Sequence, residues 1–257
     1  MKRVLLLLIC TLLPLASWAD TVLYEQSLPE NIIQLIRAAF PETQQWRDAR
    51  PIFERYRGEG KVAGNYTHAL IVSFRDDQLL RHSALVVLQN TDKRAKDTDL
   101  NRNSDVSLLG RSKLWPDLFG ARRGINSSST YARIDNGSVF IDAIDFQDCC
   151  EQITYSYQFR KKGEKLMLAG MKAKQIRTDD KIERILQELA GCSINYLDNS
   201  QVRWSYNGKR RVEEKSAAFA HAFAQLPAPL PLHEFTLASK PDAWPKESAA
   251  QTCQGGE

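Results

Sequence analysis

The feature that most narrows the possible folds is the run from Glu151 to Lys162, EQITYSYQFRKK, in which side-chain character alternates residue by residue. Ile153, Tyr155, Tyr157 and Phe159 fall on one side of an extended chain, and Thr154, Ser156, Gln158 and Arg160 on the other. Successive strand side chains point to opposite faces, whereas a helix gathers residues three and four apart. The run therefore predicts a strand with one buried and one polar face. Lys161, Lys162 and Gly163 supply a turn, and the following apolar stretch through Gly170 returns the chain as a second strand.

Hairpin patterning of this kind recurs along the chain. Residues 65–74 and 79–90 are apolar runs flanking the turn-forming RDDQ at 75–78, and residues 106–110 continue the strand character. Asn136-Gly137 sits between apolar runs inside residues 130–145, the strongest short hairpin signal. Residues 192–197 and 201–214 read as further strands. Helical spacing is confined to three places. Residues 27–41 carry Ser27 and Glu30 at capping-box spacing, an apolar face of Leu28, Ile32, Leu35, Ile36 and Ala39, and Pro41 as a stop. Residues 178–191 predict a second helix, with Thr178 as N-cap and Gly191 as its end. An alanine-rich third begins near 217 and runs into a Pro-rich tail. Residues 43–63 read as basic and irregular, anchored by Trp46, Phe53 and Tyr56. Sequential hairpins with few helices predict a mainly β fold, with antiparallel hairpins in a sheet or propeller-like arrangement. The expected organisation is a signal peptide at 1–19, one domain over 20–226, and a C-terminal tail over 227–257.

The expectation of export rests on the first nineteen residues. Lys2 and Arg3 precede an apolar run from Val4 to Leu15, and Ser17 and Ala19 place small residues at positions −3 and −1 of a cleavage site. That run contains Pro14 and falls short of the roughly 20 apolar residues a spanning helix needs. No later run is long enough, so no transmembrane segment is expected after cleavage. The formal net charge is only +4, with Lys2 and Arg3 contributing to it, which argues against nucleic acid as a partner. Removing the leader removes Cys10 and leaves Cys149, Cys150, Cys192 and Cys253. An even cysteine count in an oxidising compartment predicts disulfides. Neighbouring cysteines close only a strained ring, so Cys149 and Cys150 are expected to pair apart, one with Cys192 and the other with Cys253. Zinc spacing is missing, and no histidine lies between Thr91 and Ala220.

Catalytic motifs are sparse. The chain has no G-x-S-x-G, no H-E-x-x-H and no phosphate-binding glycine loop. His68 and His82 lie within one hairpin, out of register with each other, while His221 and His233 fall near the C-terminus. The polar loop offers a different chemistry. Asp97, Asp99, Asn101, Asn103 and Asp105 recur at every second position, and calcium takes six to eight oxygen ligands. Two readings stand, a solvated turn of the kind Asp and Asn favour and a weak calcium site, since Arg102 and Leu108 stand where an EF-hand loop places its glycine and its bidentate glutamate. Basic clusters at 122–123, 160–162 and 209–211 could meet an acidic partner or simply solvate hairpin tips.

The loop from Asp99 to Leu109 is similar to the ligand loops of FG-GAP-type calcium blades, which lead directly into a strand. Beyond it, Asn136-Gly137, Tyr157-Gln158-Phe159-Arg160, Leu168-Ala169-Gly170 and Asn195-Tyr196-Leu197 follow in an order that resembles CarG-like periplasmic proteins and their lysozyme-inhibitor-like relatives. The likeness spans about residues 65–210. Asp198 and Asn199 replace that group's Thr-Gly pair. The resemblance implies an exported, non-catalytic binding protein with a protein partner in the cell envelope, such as an inhibitor of, or immunity factor against, an envelope-attacking enzyme or toxin. An envelope hydrolase or an assembly component of a surface machine are the rival expectations.

Overall fold

The computed structural model describes residues 28–46, 48–78, 80–91, 100, 105–116, 130–148, 151–178, 185–198, 200–207, 209–216 and 230–237. Its described strands form two antiparallel sheets. The smaller contains β1 (Asp48–Val62), β2 (Asn65–Arg75), β3 (Arg81–Asn90) and β4 (Val106–Arg111) in that order, with the short β5 (Trp115–Pro116) also pairing with β3. The larger is a seven-stranded meander of β6 (Thr130–Asp135), β7 (Ser138–Asp148), β8 (Glu151–Lys162), β9 (Lys165–Thr178), β10 (Ile185–Asn195), β11 (Ser200–Asn207) and β12 (Arg210–Ser216). The mainly β expectation holds. No helix among the described residues is long and apolar enough to cross a membrane.

The smaller sheet lies at the centre. Residues 67–74 of β2 and 83–88 of β3 are all buried, which for a strand means that both faces are covered. One cover is α1 (Glu30–Ala39), which buries Ile32, Ile33 and Ile36 and delivers Phe40 onto Phe74, ring centroids 5.1 Å apart. The helix starts later than its capping-box spacing predicts. Pro29 is the N-cap, and its carbonyl accepts from the N–H groups of Ile32 and Ile33. The other cover is the large sheet, whose first strand crosses β1 at very short range. A β-carbon on Gly58 would fall 2.4 Å from Arg133 Cα, so only glycine permits that crossing. The β6–β7 turn is closed by Asn136 and Gly137 at φ of 49° and 72°, the left-handed pair a tight hairpin demands.

A short C-terminal segment closes the seam between the layers. The N–H of Leu168 on β9 donates to the Leu230 carbonyl at 2.7 Å, and the Lys113 N–H, between β4 and β5, donates to the Phe235 carbonyl at 2.8 Å. Leu230, Leu232, Phe235 and Leu237 are buried. The Phe235 ring meets Tyr157 and Phe159 edge-on, at centroid distances of 5.1 and 5.0 Å. Residues read from sequence as tail are thus part of the core.

Two sequence expectations are corrected. Residues 43–63 are not irregular: after one 3₁₀ turn at Pro41–Thr43 they form the fifteen-residue β1. It is an edge strand of its sheet, with two register shifts, and edge position is what tolerates Pro51 and its charges. The helix expected over 178–191 is also absent where the chain is described. Thr178 ends β9, and Ile185 onward is β10, laddered on both sides to β9 and β11. Gly191 is no helix terminator; it lies mid-strand.

Cys192 is buried in the core at 1% exposure and is disulfide-bonded. Cys149, Cys150 and Cys253 lie outside the described residues. Reductant is expected to lower the melting temperature, since loss of a native disulfide typically costs about 2–5 kcal/mol; thermal melts with and without reductant check this. Phe235→Ala is expected to cost about 3–5 kcal/mol in urea unfolding, as for other buried aromatics. Leu197→Ala, at a side chain 53% exposed, is expected to change stability by no more than about 0.5 kcal/mol.

Candidate functional site

The alternation of β8 divides the large sheet into two chemically distinct faces. Ile153, Tyr155, Tyr157 and Phe159 are buried inward, while Thr154, Ser156 and Gln158 are only partly covered on the outer side. Register then decides which residues of other strands join them. Ser156 pairs with Asp142 on β7 and Lys172 on β9, Asp142 pairs with Tyr131, and Lys172 pairs with Ser193. One cross-strand row therefore reads Tyr131, Asp142, Ser156, Lys172, Ser193. The next reads Arg133, Phe140, Gln158, Gly170, Asn195. Two shallow cavities, of about 310 and 350 Å³, open along these rows and share Arg133, Ser156 and Lys172 as lining.

The charges on this face are arranged unevenly. Arg133 donates through Nε to Asp142 and through a terminal nitrogen to Ser156 Oγ at 3.3 Å, with its guanidinium 3.8 Å over the Phe140 ring. Glu188 accepts from Lys174 Nζ and from Trp204 Nε1 at 2.6 Å. Burial raises the pKa of Glu188, but those two hydrogen bonds and the Lys174 and Lys172 charges outweigh it and hold the carboxyl below its usual range. Trp204 lies flat on Gly191, where a β-carbon would come within 2.3 Å of Cζ2. Its ring carries Arg211 at 4.4 Å and the Lys172 ammonium at 5.6 Å.

Lys172 differs from its neighbours. It is in no ion pair among the described residues, although it is exposed and lines both cavities. Partial burial and then the Lys174 charge push its pKa down, Glu188 pulls against them, and Arg211 pushes further the same way. Arg160, lining the first cavity, meets no carboxylate among the described residues either; its guanidinium reaches the amide oxygen of Gln158 at 3.2 Å.

The sequence-selected residues fare differently. Asp97, Asp99, Asn101 and Asn103 lie outside the described residues. Asp105 is exposed, and its carbonyl accepts from both the N–H and the hydroxyl of Thr91, fixing the entry into β4. His68 pairs in register with Leu88 and His82 with Phe74, so the two do not meet. His68 is buried 3.8 Å from Glu59, His82 bonds Asp76 at 2.9 Å, and His233 is exposed. His221 lies outside the described residues. Of the basic clusters, Arg160 enters a cavity and Arg211 stacks on Trp204, while Lys162, Lys209 and Arg210 are exposed. Arg122 and Arg123 lie outside the described residues. Sequence reading missed Lys172, Arg133 and Trp204. Lys172 and Lys174 do alternate with Met171 and Ala173, which was signal enough for a polar face, but their neighbours depend on register.

Set against protein-family models, curated proteins and solved structures, the chain matches none.

The depressed Glu188 carboxyl makes a pH prediction. A carboxylate with a lowered folded-state pKa contributes stability above its unfolded value, about 4.3, that is lost as pH falls through the folded value. Wild type is expected to be more stable than Glu188→Gln at pH 7. The gap should close on acidification below about pH 4, read from urea unfolding across that range.

Proposed function

We propose that this chain is an exported, non-catalytic binding protein of the bacterial cell envelope that holds its partner on the outer face of the large sheet. Lys172 carries the reading. An exposed cation at the junction of two cavities, in no ion pair among the described residues, keeps its N–H donors for an arriving acidic group. Arg160 extends the same positive character along the face. The leader pattern and the resemblance to CarG-like and lysozyme-inhibitor-like proteins supply the compartment and the role: protection of the envelope by occupying an attacking enzyme or toxin.

A rigid sheet suits this task. Its polar residues project from laddered strands, so they are pre-ordered and lose little freedom on binding. Electrostatic recognition of this type sets orientation and association rate and weakens with salt.

The test is capture from envelope extract by the chain lacking residues 1–19, compared with a Lys172→Glu/Arg160→Glu variant. The expected result is a partner retained by the unaltered protein, released near 1 M salt, where screening extends to about 3 Å, and not retained by the variant. Equal retention by both, or turnover of an envelope polymer by the purified protein, would overturn the proposal.

A further inference from the structure

We infer that the row Ser156–Lys172–Ser193 is a seat for the acid group of an amphiphilic organic anion, a carboxylate or phosphate attached to an apolar chain or ring. The inference rests on the outer face being the binding face and names the chemistry it takes.

The polar part of the argument comes from hydrogen-bonding roles. Cross-strand neighbours on one face place their β-carbons about 4.5–5.5 Å apart, so the two hydroxyls flank the lysine stem on either side. All three residues line the smaller cavity. The Ser156 oxygen already accepts from Arg133, which leaves its own proton to be donated outward. The Lys172 ammonium and the outward Ser156 hydroxyl, with Ser193 beside them in the lining, are a donor set, and an oxyanion is what satisfies it. The nearby carboxylates are hydrogen-bonded elsewhere, Asp142 to Arg133 and Glu188 to Lys174 and Trp204, and neither forms an ion pair with this cation.

The apolar part comes from what borders the cavities. Among the described residues four large hydrophobic side chains are exposed, and two of them, Tyr131 and Leu197, line these two cavities. Tyr131 borders one and Leu197 the other, with Lys172 common to both. The volumes, about 310 and 350 Å³, fall at the lower end of the range for small-molecule sites. A fully hydrated inorganic anion would leave that apolar lining uncovered; an acid with a hydrocarbon body covers it.

The experiment titrates the leaderless protein with octyl phosphate, octanoate, inorganic phosphate and octyltrimethylammonium, followed by calorimetry and by the backbone NMR signals of Ser156 and Ser193. Octyl phosphate or octanoate is expected to bind at least about tenfold tighter than inorganic phosphate, since burying a few methylene groups supplies that factor. The better of the two identifies the acid. Lys172→Met is expected to weaken binding about tenfold or more, Lys172→Arg to restore most of it, and Lys165→Met, at an exposed position outside both cavities, to leave it unchanged. Binding of the cation as tight as that of the anions, unaltered binding by Lys172→Met, or no binding by either octyl acid would overturn the inference. Charge-dependent capture of an envelope partner without any octyl acid binding overturns this inference and leaves the broader reading standing. Lysine-dependent anion binding without capture does the reverse.

Discussion

The contact of Phe235 with Tyr157 and Phe159 is the interaction on which the rest of the architecture depends. The two rings of β8 form part of the inner wall of the large sheet, and Phe235 arrives from a segment bonded to β9 on one side and to the β4–β5 connection on the other. One buried side chain therefore touches the large sheet while its own carbonyl is held by the small one. Edge-to-face rings add specific geometry to the area they bury. Without that segment, the seam between the two layers would expose apolar surface and unpaired backbone groups.

A strand that buries one face so completely leaves its other face available for chemistry. Along β8 each inward aromatic is followed by a hydroxyl, an amide or a guanidinium, and the same ladder hydrogen bonds fix both sets. The outer face owes its rigidity to the core behind it. Its second support is local: Trp204 lies on Gly191 and is bonded to Glu188, which also holds Lys174. That cluster fixes the positions of three strands relative to one another and keeps Glu188 occupied, so that Lys172 stands beside it without sharing its carboxylate.

Legibility in the sequence varied with the kind of signal. The β2–β3, β6–β7 and β8–β9 hairpins could be read from period-two alternation and from turns such as Asn136-Gly137, because both are local properties. The fifteen residues of β1 could not. An edge strand that carries Pro51 and many charges has little of the pattern that marks a central strand, and its pairing with β2 supplies what propensity does not. Residues 178–191 misled in the opposite direction. Their capping residue, charged first turn and spaced Ile and Leu satisfy a helix, but the described part is laddered between β9 and β11, and tertiary pairing overrides the local preference. Gly191 illustrates the ambiguity: a glycine that suits a helix terminus equally suits a strand on which an indole must lie. The outer face of the large sheet was half legible, since Ser156, Gln158 and Arg160 were assigned to one polar side of a strand.

By itself, then, the sequence determined a mainly antiparallel β chain, the two-faced character of its central strand and the place of its N-terminal helix, because alternation, turn residues and caps act within a few neighbours. Only the tertiary structure decided which strands lie side by side, that Phe235 belongs to the core, and that Ser156, Lys172 and Ser193 form one row. Those outcomes depend on register between segments far apart in the chain, and a shift of one residue would have turned Lys172 to the opposite face.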